Sequence, residues 1–234
     1  MLAPNLLNLR ELGGLTLQSG GQTRMKSLLR ADTLARLTHE GMQILVDYGV
    51  RTIIDLRWPE EVEVGSYDHL LEDHLLQRVH ISLLDENLAA WRGRGLHPRP
   101  KDMLNCIALE NARPQFYKVL RAIAHAPAGT LLFHCHSGKD RTGLISTLLL
   151  ALSEVELESI VRDYTLSEDL LREGYLVDRS DLSPEEIQLR LQCPPQQIHN
   201  TLKHFQNQYN GIEGYLLDIG LSISEIKALK QRLS

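Results

Sequence analysis

Thr130-Leu131-Leu132-Phe133-His134-Cys135-His136-Ser137-Gly138-Lys139-Asp140-Arg141-Thr142-Gly143 is the stretch whose reading decides the fold. Thr130 to Phe133 makes a short apolar strand, and from Thr142 to Leu152 the chain is apolar enough for a buried helix. Between them lies a polar loop with small residues at Ser137, Gly138 and Gly143. A backbone that turns its N–H groups inward around an anion needs such residues, and the helix N-terminus behind it adds a partial positive charge. Strand, anion-binding loop and helix in that order point to an α/β fold whose site gathers at the carboxyl ends of parallel strands.

Upstream, Val50 to Leu56 reads as a second buried strand. It is fed by a helix from Thr38 to Tyr48, with Met42, Leu45 and Val46 on one face and Gly49 as its stop. Leu15-Thr16-Leu17 followed by Ser19-Gly20-Gly21 suggests a hairpin around the glycine pair. The segment from 65 to 112 carries mixed charges and the run Trp91 to Lys101, rich in Gly, Pro and Arg, and is expected to be a loop or lid. Helical spacing returns with Phe116, Val119, Leu120 and Ile123 behind Pro114. Three capping-box patterns, Ser153 with Glu156, Ser183 with Glu186 and Ser222 with Glu225, mark helix starts in residues 153–234. The expected fold is thus a mostly parallel central sheet with flanking helices and a helical C-terminal extension, in one domain over residues 1–234.

The 234 residues carry 25 basic and 30 acidic side chains, a net charge of −5, which excludes a generally basic nucleic-acid binder. Hydrophobic residues at 43% and charged residues at 24% are an ordinary mixture for a folded soluble protein. The cysteines Cys106, Cys135 and Cys193 are too few and too scattered for a disulfide framework, and a reducing, cytoplasmic setting is expected. Neither a signal-peptide pattern nor a membrane-spanning apolar run is present, although export without a cleaved signal would leave no such trace. The four histidines between 69 and 97 lack zinc spacing, so no metal or cofactor is expected. Arg92, Arg94, Arg99 and Lys101 read as a solvated loop.

The loop's chemistry follows from its parts. Inward N–H groups, the helix terminus and Arg141 favour a thiolate at Cys135, the form that attacks phosphorus. The planar fork of Arg141 matches two phosphoryl oxygens, and the Thr142 hydroxyl is expected to assist the sulfur as it leaves. His136, Ser137, Gly138, Lys139, Thr142 and Gly143 complete the expected phosphate cradle, with Lys139 drawing in polyanionic substrates. His134 reads as a core histidine that hydrogen-bonds the loop backbone, not as a base.

The decapeptide His134 to Gly143 resembles the signature loop of cysteine-dependent protein tyrosine phosphatases, and its Gly-Lys-Asp-Arg-Thr-Gly ending is similar to the atypical bacterial tyrosine and lipid phosphatases. Asn8 to Gly14, Leu29 to Asp32, Asp55-Leu56-Arg57 with Glu61, and Glu213 to Leu216 resemble further landmarks in family order. The resemblance implies a phosphomonoester hydrolase with Cys135 as nucleophile and Arg141 as phosphate ligand. Its substrates would be phosphotyrosine in proteins and, further afield, phosphoinositides or phosphoserine and phosphothreonine. It also suggests Asp140 as the acid, a carboxyl that could instead orient Arg141 or cap the helix. Asp55 is the main competitor, with Asp85 and Asp102 behind it, while Trp58-Pro59-Glu60 imitates an acid-bearing loop but reads more simply as a helix start. Competing readings are a phosphate-binding module that has lost catalysis, a rhodanese-like sulfur carrier, and a nucleotide-binding loop. The last would need glycine at Phe133 and Ser or Thr at Asp140.

Overall fold

The computed structural model describes residues 3, 5–71, 76–84, 103–178 and 182–234; Asp85, Asp102, His74, His97 and the run 91–101 lie outside them. Five strands form one sheet: β1 (Arg10–Glu11), β2 (Leu28–Ala31), β3 (Val50–Asp55), β4 (Gln77–His80) and β5 (Thr130–His134), in the order β1-β2-β5-β3-β4. β1 is antiparallel to β2 and every other pairing is parallel. The central β5 is buried along its whole length. Its register sets Asp55 opposite His134 and Ala31 opposite His134 from the other side, so three strand ends meet where the loop begins.

Alternation along the strands divides the core into two layers. Leu29, Ile53 and Leu132 point to one face, covered by α1 (His39–Tyr48) through Met42 and Leu45. Leu28, Ile54, Leu131 and Phe133 point to the other, against α4 (Arg113–His125) and α5 (Asp140–Leu152), with the C-terminal helices outside them. α1 runs as expected, capped by the Thr38 hydroxyl and ended at Gly49, whose φ of 118° suits glycine. In α4 the four expected apolar residues are all buried. α5 starts two residues before Thr142, so that Asp140 and Arg141 lie in its first turn.

α2 (Pro59–Val64) starts at Pro59 as the sequence suggested, whereas α3 (Leu104–Asn111) and β4 occupy part of what the sequence suggested was loop. The expected lid over 65–112 is corrected to that extent: its described parts form the sheet's fourth parallel strand and a helix whose Cys106, Ala108 and Leu109 are buried. After α5 come α6 (Leu157–Asp178), α7 (Pro184–Leu191), α8 (Pro195–Tyr209), α9 (Ile212–Asp218) and α10 (Ile223–Leu233). Ser183 and Ser222 cap α7 and α10 by the expected boxes. Ser153 does not start α6: its N–H still bonds to Leu149, and residues 154–156 instead pair with the hairpin at residues 16–18. No helix among the described residues is long and apolar enough to cross a membrane.

Candidate active site

β5 delivers the loop and α5 receives it, leaving Cys135 to Lys139 between them. The loop carbonyls are taken up from outside. Thr33 N–H donates to the His136 carbonyl at 2.9 Å, the Asn8 amide to Ser137 at 3.0 Å, and the Arg30 guanidinium to Gly138 at 2.6 Å. Because a peptide's N–H and C=O point in opposite directions, carbonyls fastened outside turn the N–H dipoles toward the interior of the loop. Gly138 has φ +65°, and a Cβ there would stand 2.3 Å from the Ala31 carbonyl oxygen, so only glycine lets the loop lie this close to β2.

The supports are themselves supported. Arg30, fully buried, pairs with Asp163 of α6 at 2.5 Å, and Arg10 meets the same carboxylate at 2.8 Å and Ser167 at 2.9 Å. Burial alone would raise the Asp163 pKa, but Arg30 and Arg10 outweigh it and hold the carboxylate below its usual range.

Cys135 is buried at the base of the loop. The Arg141 guanidinium is held end-on by Glu61, Nη1 to Oε2 at 2.6 Å and Nη2 to Oε1 at 2.8 Å, and lies 4.5 Å from the centre of the Trp58 ring. An end-on pair leaves the side edge, Nε–H and the second Nη2 hydrogen, for a phosphoryl group. Glu61 also accepts the Trp58 backbone N–H at 2.8 Å, so the start of α2 and Arg141 share one carboxylate. Asp140 opens α5 with its carboxyl partly exposed, and His136 is exposed with Nδ1 4.0 Å from Glu61. The Thr142 hydroxyl is buried with no hydrogen-bond partner among the described residues, Cys135 sulfur included.

Besides Thr142, whose expected contact with the sulfur is absent among the described residues, two expectations change. Lys139 does not hold its ammonium toward an approaching anion: the side chain is buried, with Nζ 2.5 Å from the Arg190 carbonyl and 3.5 Å from that of Gln192. Asp55 is corrected as an acid candidate. Its buried carboxylate accepts from Arg57 at 2.7 Å and Arg78 at 2.8 Å, and although burial opposes ionisation these partners hold it far below the usual carboxylate range. A group locked in its charged form has no proton to give.

Asp55 anchors a chain that runs to the loop. Tyr67, buried between Arg57 and Arg78, sets its hydroxyl 3.2 Å from Asp55 and 2.8 Å from His134 Nε2; the other ring nitrogen of His134 meets the Cys135 carbonyl at 3.2 Å. Burial pushes the His134 pKa down to about 4, so the imidazole is neutral at pH 7, in keeping with its reading as a core histidine. Among the described residues no cluster of His, Cys, Asp and Glu is arranged to hold a metal; His80 bonds the Arg57 carbonyl and His69 packs edge-on to His39. Cys106 and Cys193 are buried thiols outside any disulfide, the latter pushed up to about 12 by burial.

Asp163 and Tyr67 escaped the sequence reading. Asp163 carried a usable signal, since Ile160, Asp163, Ser167 and Leu171 fall on one helical face and all four are buried.

A tyrosine-protein phosphatase of Nostoc commune is 35% identical over 219 residues, covering 88% of this chain and 74% of that one. Crystal structures of TpbA from P. aeruginosa, one a Cys-to-Ser variant in complex with phosphotyrosine, are similar at 13% identity and a TM-score of 0.35. They cover 71% of this chain and 86% of theirs, too distant a likeness to carry any argument. The model of the tyrosine phosphatase family matches residues 2–234. That match runs from the residues that brace the loop, through the loop itself, to the last helix, and the chain belongs to the tyrosine phosphatase family.

Proposed function

We propose that the chain hydrolyses phosphotyrosine in proteins through a phosphocysteine at Cys135. The observation that carries this is the loop itself: its carbonyls are tied off outside, Cys135 is buried at its base, and the side edge of Arg141 is left for phosphate. The Cys135 thiolate forms a bond to phosphorus while the tyrosyl P–O bond breaks, and Asp140 delivers its proton to the departing phenolate oxygen. Asp140, now a carboxylate, then removes a proton from water as the water oxygen bonds to phosphorus and the S–P bond breaks. Inorganic phosphate leaves and the thiolate and acid are restored. Inward N–H dipoles and Arg141 hold the equatorial oxygens throughout, fixed before the substrate arrives. Phosphoserine, phosphothreonine and phosphoinositides present the same phosphoryl chemistry, and family membership favours phosphotyrosine first.

Cys135→Ser tests the mechanism. Turnover of a phosphotyrosyl peptide should fall below detection while the peptide still binds, and wild-type enzyme quenched in acid should carry labelled phosphate on Cys135. Undiminished hydrolysis by the variant excludes the covalent route. Binding without turnover by the wild type favours a phosphate-binding module instead.

A further inference from the structure

Lys139 and Arg141 are the cations of the loop, and the structure gives them different tasks. The four last carbonyls of a helix have no partner inside it and form its negative end. In α7, two of the carbonyls at that end, Arg190 and Gln192, are met by the Lys139 ammonium, which is buried and lies 3.7 Å from Asp140 Oδ2. The same corner is gripped by Glu168 of α6, which accepts the Cys193 N–H at 3.0 Å and the Gln188 amide at 2.7 Å. Ile187 and Leu191 bury the apolar side of α7 against Leu171.

We infer that Lys139 tethers the end of α7 to the loop and is not a substrate ligand, so that the site recognises one phosphoryl group rather than a cluster of phosphates. Swinging the ammonium to a second phosphate would strip two part-buried carbonyls of their donor, a loss that the new contact must first offset. The substrate class that fits is a monoester with no neighbouring phosphate, such as a phosphotyrosyl side chain, in preference to an inositol ring with adjacent phosphates. This rests on the phosphatase reading, which wild-type turnover of a phosphotyrosyl peptide tests separately.

Amide hydrogen exchange on Lys139→Met reads the tether without reference to activity: exchange in residues 187–191 should quicken by about tenfold or more. Unchanged exchange there overturns the tether. For specificity, kcat/KM is compared between a phosphotyrosyl peptide and a soluble inositol bisphosphate with adjacent phosphates. Lys139→Met should leave that ratio within about fivefold, because the ammonium is not on the substrate. A larger selective loss on the bisphosphate makes Lys139 a ligand and overturns the inference. Leu191→Ala, which loosens α7 and keeps the lysine, should free the ammonium and raise the relative rate on the bisphosphate by more than about fivefold. A ratio unmoved or lowered in this variant also overturns it.

Discussion

Asp140 sits beside the loop in the first turn of α5 with its carboxyl within reach of solvent, whereas Asp55 is enclosed by two arginines and stays charged. Leaving-group dependence separates these roles. Asp140→Asn should slow hydrolysis of an alkyl phosphate by about 10²–10⁴-fold and of para-nitrophenyl phosphate far less, since only the poor leaving group needs a proton. Equal losses on both substrates would make Asp140 an orienting group for Arg141. The side chains proposed to do the chemistry were legible because Cys135, Asp140 and Arg141 are near neighbours in a strand-loop-helix context. Asp163 and Tyr67 were not, for their meaning lies in contacts across the chain: Asp163 with Arg30, 133 residues away, and Tyr67 with His134, 67 residues away. The contacts of Lys139 were hidden for a similar reason, as two of its partners are carbonyls 51 and 53 residues further on.

α2 is only six residues long, yet through Glu61 it holds the Arg141 guanidinium end-on. Glu61→Gln keeps the shape but has one acceptor oxygen where the fork uses two. It should lower kcat by roughly tenfold to a hundredfold with a smaller change in KM. A kcat within twofold of wild type would show that the loop and Trp58 hold Arg141 unaided. Elements with sharp local chemistry, such as α1 between Thr38 and Gly49 and the boxes at Ser183 and Ser222, were readable from the chain. β4 was not: Gln77-Arg78-Val79-His80 is a half-exposed strand that pairs with β3 alone among the described residues, so it carries no apolar run. Ser153 shows the opposite error, a fitting pattern without the extended backbone that an N-cap requires, since its φ and ψ are −88° and 10°.

The buried His134 imidazole contributes to how the whole molecule responds to acid. Its imidazole resists protonation in the fold until about pH 4, while the unfolded chain accepts a proton near pH 6.5. Between those values the unfolded state binds more protons, so this contribution to stability is complete above pH 6.5 and is lost as pH falls toward 4, by up to about 3 kcal/mol. Urea unfolding at pH 7.5 and pH 5 should show the midpoint falling, and equal midpoints would mean that the folded imidazole is already charged. The bracing of the loop by Asn8, Arg10, Arg30 and Asp163 governs a different matter, the order of events during synthesis. Asn8, Arg10 and Arg30 leave the ribosome before Cys135, and the carboxylate that locks two of those arginines in place comes after it. A nascent chain that has exposed its cysteine therefore still lacks the carboxylate that fixes Arg10 and Arg30, and the bracing of the loop is completed only once α6 has emerged and docked.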